Sequence, residues 1–241
     1  MKFKKTGFQN AKGLFRYFEY RDLIEKNPFN KIQIKFRKAT ILPKTIPLNY
    51  IESILATIYD YKSNAKTKFQ QRNALRDVAT IELLFATGMR ISELCFLKIN
   101  DINLDNGTIL ILGKGSKERI LQIGNAEVLN ILKEYQTDFL RECENCGHFF
   151  VNQSGTPLSD QTVRRMISKY TRLASVNLNI TPHMFRHTFA TSLLDADVDI
   201  RYIQEMLGHS SINVTEIYTH VATAKQRDIL STKHPWNMFL I

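Results

Sequence analysis

From residue 76 onward, apolar positions recur at intervals of three and four, and the chain reads as helix after helix with one interruption. In residues 76–87 (RDVATIELLFAT), Val78, Ile81, Leu84 and Phe85 share a face, and Gly88 stands where helices commonly end. Arg90-Ile-Ser-Glu-Leu opens the next helix. The period then changes to two. Asp105-Asn106-Gly107 is a hairpin-turn signal, and residues 108–112 and 119–123 flank Gly113-Lys114-Gly115-Ser116, which predicts a small antiparallel sheet with Lys114 at a turn. Helical spacing resumes at about 125–141, 159–174, 181–194, 199–207, 213–221 and 222–232. The expected fold is mainly α with one small antiparallel β-sheet, an α+β domain without an internal repeat.

Ahead of this region the pattern is weaker. Residues 11–26 have helical composition, although Asp22 breaks the stripe begun by Leu14 and Phe18, and Asn27-Pro28 ends it because the residue before proline is pushed out of the helical region. From Phe29 to Pro47 basic residues and the prolines at 43 and 47 read as a linker. The expected division is therefore a basic helix and linker over 1–45 and a principal domain over 46–241.

Composition excludes several classes. A chain of 241 residues with 44% hydrophobic and 23% charged residues can bury one substantial core or two modest ones, which rules out disulfide-stapled and fibrous proteins. Charge narrows the choice further: 33 Lys and Arg against 23 Asp and Glu leave +10, the footprint of a protein that meets polyphosphate. Residues 1–40 hold eleven of those basic residues against three acidic ones, so most of the excess lies in the leading segment. No apolar run approaches the roughly 18 residues of a membrane span, and none follows the basic N-terminus, so no membrane partner is expected and the cytoplasm is the expected location. Cys95, Cys143 and Cys146 fit reduced thiols. The Cys143-x-x-Cys146 pair with His148 lacks a fourth ligand, so no metal is expected.

Two clusters carry candidate chemistry. In Thr181-Pro-His-Met-Phe-Arg-His, Thr181 suits the cap and Pro182 the first helical position, which puts His183 and Arg186 on one face of the first turn. Free N–H groups and the helix dipole favour an anion there, and Phe185, Phe189 and Leu193 point to the core on another face. His187 reads as structural or exposed, as does His220. In Leu207-Gly-His-Ser, a helix ends at Gly208 and His209 follows a sharp reversal; Asn213 and Glu216 then have capping-box spacing. Val214, Ile217 and Val221 form the next stripe. Tyr218 stands one step off it, where a tyrosine by itself is more often a boundary packing residue.

Taken in order, Arg90, Lys114, His183 with Arg186, His209 and Tyr218, within ATGMRISEL, GKGSKER, TPHMFRHTFAT and LGHSSINVTEIYTH, resemble the tyrosine recombinase (phage integrase) family with a Xer-like catalytic domain. The resemblance covers about residues 20–232. It implies a site-specific recombinase in which Tyr218 attacks a DNA phosphate and forms a 3′-phosphotyrosyl bond. Arg90 and Arg186 would hold the transition state, Lys114 would protonate the leaving 5′-oxygen, His183 would act as general acid and base, and His209 would hydrogen-bond the phosphate. Glu93 matches a supporting acidic position. Lys117, on the same hairpin, competes with Lys114 for the lysine role, and Lys117, Arg119, Arg164 and Arg165 are the expected DNA contacts.

The family resemblance further implies no cofactor, no metal and no ATP, double-stranded DNA as partner, and a homotetramer in the synaptic complex from a chain that is monomeric in free solution. It implies that residues 223–241 dock on a neighbouring subunit; folding onto their own domain is the alternative. Integration or excision of a mobile element or phage is the expected role. Chromosome-dimer resolution, DNA inversion, a topoisomerase of the same chemistry and a truncated non-catalytic DNA-binding regulator are the rivals. Only about 45 residues stand where the family carries a whole core-binding domain, so the chain alone is expected to bind DNA weakly.

Overall fold

The computed structural model describes residues 5–32, 44–112, 118–196, 198–208, 227 and 229–239, which fall into two units, Met1–Leu42 and Pro43–Ile241. In the first, helix α1 spans Lys5–Tyr20, six residues earlier at each end than the composition of 11–26 suggested. The stop lies at Asp22 rather than at Pro28. Asp22 adopts φ 54°, a left-handed conformation that short polar side chains tolerate, and this lets its N–H reach Glu19 O at 3.2 Å and the Leu23 N–H reach Phe18 O at 3.0 Å. These bonds close the helix in the manner of a Schellman cap. Asn27 then caps a 3-10 turn, Pro28–Lys31, by accepting from the Phe29 N–H. The Phe29 ring packs on Phe8 and Phe15 with centroids 5.4 and 5.1 Å away.

In the second unit, α2 (Leu48–Ser63) follows Pro47 directly, where the linker reading ends, and lies ahead of the first helix that the pattern assigns. Its Ile51, Ile54, Leu55 and Ile58 are buried at the three-and-four spacing of an amphipathic face. Helix α3 (Lys68–Thr87) begins eight residues before 76 because Thr67 and Gln70 form a reciprocal capping box. From Ala74 to Thr87 every α3 residue is buried, and α2, α5 and α7 pack around it. This central position forces charges inside. Arg76 pairs with Asp77 at 2.7 Å, and the Tyr170 hydroxyl donates to the second Asp77 oxygen at 2.9 Å. Glu82, fully buried, accepts from the Tyr59 hydroxyl.

Helix α3 stops at Gly88, as expected from its position, with φ 61°. Helix α4 (Ile91–Phe96) leads into a three-stranded antiparallel sheet of β1 (Ile102–Asn103), β2 (Thr108–Leu112) and β3 (Glu118–Gln122), in that spatial order. Ile109, Ile111 and Leu121 form its buried face, and Arg119 lies opposite Ile111 on that same face. Helices α5 (Ala126–Cys146), α6 (Asp160–Leu173), α7 (Pro182–Asp195) and α8 (Ile200–Leu207) complete the shell. The predicted helix at 213–221 lies outside the described residues.

Residues 229–239 fold onto their own domain. Ile229, Leu230 and Trp236 are buried, His234 Nε2 meets the Phe85 carbonyl at 3.1 Å, and the Trp236 N–H donates to His234 Nδ1 at 3.0 Å. Phe239 stacks on the Phe85 ring at 5.9 Å. Complete burial depresses the His234 pKa to about 4, and these two bonds suit the neutral ring with its proton on Nε2. Of the two placements open to the tail, its described part takes the one on its own core.

Candidate active site

Two helix ends converge here. Helix α3 ends at Gly88 and α8 at Gly208, both glycines left-handed, and each helix thereby turns terminal carbonyls toward the first turn of α7. Arg186, on that turn, donates through Nη1 to Gly88 O at 2.8 Å and through Nη2 to Leu207 O. The guanidinium is thus fixed by backbone that cannot change rotamer, and the negative ends of two helix dipoles offset its burial. Burial and the neighbouring Arg90 charge lower the Arg186 pKa to about 10, so it stays cationic at neutral pH. Pro182 occupies the first helical position as expected, but the Thr181 side chain makes no capping bond. His183 on the same turn is exposed, while the pKa of half-buried His187 is lowered by burial and then by the His183 and Arg186 charges.

Arg90 sits at the N-cap of α4. Its N–H donates to Glu93 Oε2 and its Nη1 to Glu93 Oε1, both at 2.7 Å, and its side chain is 38% exposed, the most open of the three arginines here. Glu93 also receives Arg119 in a fork-to-fork pair, Nη1 to Oε1 at 3.0 Å and Nη2 to Oε2 at 2.7 Å. Burial alone would raise the Glu93 pKa, but the bonds from Arg119 and from the Arg90 backbone outweigh it and hold the carboxyl below its ordinary value. Arg119 completes the arrangement by donating Nε to Met206 O at 2.9 Å.

Arg90, Glu93 and Arg186 of the expected set therefore meet at one place, with His183 three residues before Arg186 on α7. Lys114, Lys117, His209 and Tyr218 lie outside the described residues. Arg164 and Arg165 are exposed on α6. Arg119, expected at DNA, instead commits three N–H donors inside the protein. The link between Glu93 and Met206 O that it makes was missed in the sequence, although alternation along β3 with buried Leu121 already turned Arg119 inward. The cysteine cluster is engaged otherwise: the Cys143 thiol donates to Phe149 O, and the His148 ring lies between Lys98 Nζ and Cys146 O.

Arg90, Arg119 and Arg186 set three positive charges against the single carboxylate of Glu93 beside the first turns of α7, a surplus that suits an anion such as a phosphate. The phage integrase family model matches residues 46–225. A tyrosine recombinase from Agathobacter rectalis is 70% identical over 226 residues, which make up 94% of this chain and 74% of that protein. Tyrosine recombinase XerC of Bacillus subtilis is 36% identical over 230 residues, 93% of this chain and 72% of its own. Among solved structures, XerA recombinase superposes with TM-score 0.61 at 28% identity over 94% of this chain and 76% of that one. XerH bound to its difH substrate in a pre-cleavage complex gives TM-score 0.66 at 32% identity over 86% of this chain and 59% of that one. The chain belongs to the phage integrase family, as a tyrosine-type site-specific recombinase of the class that cleaves and rejoins DNA.

Proposed function

We propose that this recombinase works on double-stranded DNA through a covalent 3′-phosphotyrosine at Tyr218, with Arg90 and Arg186 on the scissile phosphate. The observation that carries the reading is the double carbonyl anchorage of Arg186 beside a partly open Arg90. A fork held by backbone is positioned before the substrate arrives, which is what stabilising a transient pentavalent phosphorus requires. In the proposed step the Tyr218 oxygen bonds to phosphorus as its proton passes to His183. The 5′-oxygen then leaves with a proton from Lys114, and His209 hydrogen-bonds a non-bridging oxygen. Energy of the broken ester is kept in the new one, so a second 5′-hydroxyl can reverse the step and reseal without ATP. The XerH structure, a recombinase on its DNA substrate, supports the choice of partner.

Exchange between two duplexes needs several such centres, so a tetramer forms at the synapse. Arg164 and Arg165, exposed on α6, contact the DNA backbone. Among the described residues no helix is long and apolar enough to cross a membrane, in keeping with work on cytoplasmic DNA. Integration or excision of a mobile element is the proposed role; resolution and inversion differ from it only in how two sites are arranged.

The test uses nicked suicide DNA carrying candidate sites and reads a covalent adduct on a denaturing gel. An adduct present with the natural chain and lost in Tyr218→Phe supports the reading. DNA binding with no adduct on any functional site would favour the regulator. Plasmids bearing the site as direct repeats, as inverted repeats or on separate circles then sort resolution, inversion and integration.

A further inference from the structure

We infer that Arg119 is a positioning residue that clamps the Glu93 carboxylate to the end of α8, so that Arg90 and the chain entering His209 are held at a fixed separation. The inference rests on the recombinase reading for its consequence and on geometry for its substance. Glu93 belongs to α4 and Met206 to α8, and Arg119 comes from β3, so one side chain joins three elements far apart in sequence. The pair is enclosed, with the Arg119 side chain 11% and the Glu93 side chain 8% exposed. Its two parallel N–H···O bonds fix the carboxylate plane as well as its distance, which a single bond would leave free to turn.

This clamp also settles a charge. Glu93 with Arg90 alone would form a closed ion pair and leave Arg90 little net charge for a phosphate. With Arg119 taking both oxygens from the other side, Glu93 orients Arg90 through its backbone N–H and Nη1 while Arg119 supplies the compensating charge. Among the described residues, the charged groups that act at Glu93 are Arg90 on its own helix, Arg119 from β3 and Arg186 from α7. Approach at the other end is close. A Cβ on Gly208 would lie 3.0 Å from Arg119 Nη1, so the residue before His209 rests against the guanidinium itself.

The experiment compares the natural chain with Arg119→Met, Arg119→Lys and Arg119→Met/Glu93→Gln by three readouts: affinity and salt dependence on DNA, single-turnover adduct formation on the nicked substrate at saturating protein, and protection against heat by inorganic phosphate. Thermal midpoints without ligand report folding. In Arg119→Met, cleavage of bound DNA at saturating protein is expected to fall on the order of 100-fold, the usual cost of misplacing a reacting group by about 1 Å, and by far more than DNA affinity does. Its pH–rate profile gains an acid limb, because Glu93 loses the partner that keeps it ionised; the double variant lacks that limb. Arg119→Lys keeps the charge and therefore the natural profile, but not the rate, because an ammonium cannot make the fork. Phosphate protection weakens in Arg119→Met as well, a result that needs no cleavage chemistry.

A salt slope lower by about one with cleavage of bound DNA unchanged would make Arg119 a direct phosphate contact and overturn the proposal. Natural rate and natural phosphate protection in a folded Arg119→Met would overturn it equally. Should the natural chain form no adduct anywhere, the recombinase chemistry fails, and the phosphate titration still decides whether Arg119 positions an anion site.

Discussion

The Arg186 guanidinium is bonded at 2.8 Å to the carbonyl of Gly88, 98 positions earlier in the chain. Its second anchor, Leu207 O, lies at the end of a different helix. Lysine at 186 can reach only one of these carbonyls at a time and leaves the other unpaired in the interior. Arg186→Lys is expected to lower stability by about 1–3 kcal/mol, the cost of one buried unsatisfied group, as read by urea unfolding. Adduct formation should fall roughly 100-fold or more through loss of the fork.

Gly88 serves the same anchor through its backbone. Its φ of 61° disfavours any side chain, and an added Cβ would sit 2.5 Å from Phe189 Cδ1. Gly88→Ala should destabilise the chain by about 2–4 kcal/mol, combining left-handed strain with overpacking. Chemical denaturation measures it. Because the Gly88 carbonyl also moves, cleavage per folded molecule is expected to drop too.

Glu82, inside α3, sets a pH dependence of its own. Burial pushes its pKa up to about 8, against the bond from the Tyr59 hydroxyl, which acts downward. The folded chain therefore binds a proton that the unfolded chain has released between its ordinary 4.5 and about 8. Stability from this group is full below 4.5 and is lost as pH rises through about 8. Glu82→Gln, neutral throughout, should flatten that decline, so that its stability relative to the natural chain rises steadily across the window in pH-resolved thermal unfolding.

His234 works with the reverse sign. A folded pKa of about 4 against an ordinary 6.5 means that unfolding takes up a proton between these values, so stability is full above 6.5 and is lost as pH falls toward 4. His234→Gln should lose this acid sensitivity, and Trp236→Ala should cost about 3–5 kcal/mol by emptying the seat beside Phe85. If the tail's seat on its own core contributed nothing, Trp236→Ala would leave the thermal midpoint unmoved.

What the sequence disclosed depended on how local the signal was. The end of α3 at Gly88, the hairpin strands and the start of α7 at Pro182 were readable because each rests on a turn or cap a few residues long. Helix α2 carried its stripe in plain view just past the linker, but the helical pattern was followed only from residue 76. The left-handed Asp22 could not be anticipated, since aspartate adopts that conformation only when the bonds around it favour it. In the site, residue types and order pointed to Arg90, Glu93, His183 and Arg186. The partners that fix Arg186 did not show, because these are backbone carbonyls at 88 and 207, and a carbonyl leaves no mark on composition. The pairing of Arg119 was hidden for a related reason: a basic residue near a basic hairpin suggests DNA, and its partner Glu93 lies 26 positions away.

The last turn of α3 has two tenants. Phe85 lends its carbonyl to His234 of the tail, and Gly88, three residues on, lends its own to Arg186. His234, near the far end of the chain, and Arg186 are thus tethered to one rung of the same ladder. A strain that lifts the tail from Phe85 pulls on the backbone that aims Arg186, with less than one helical turn of slack between cause and effect.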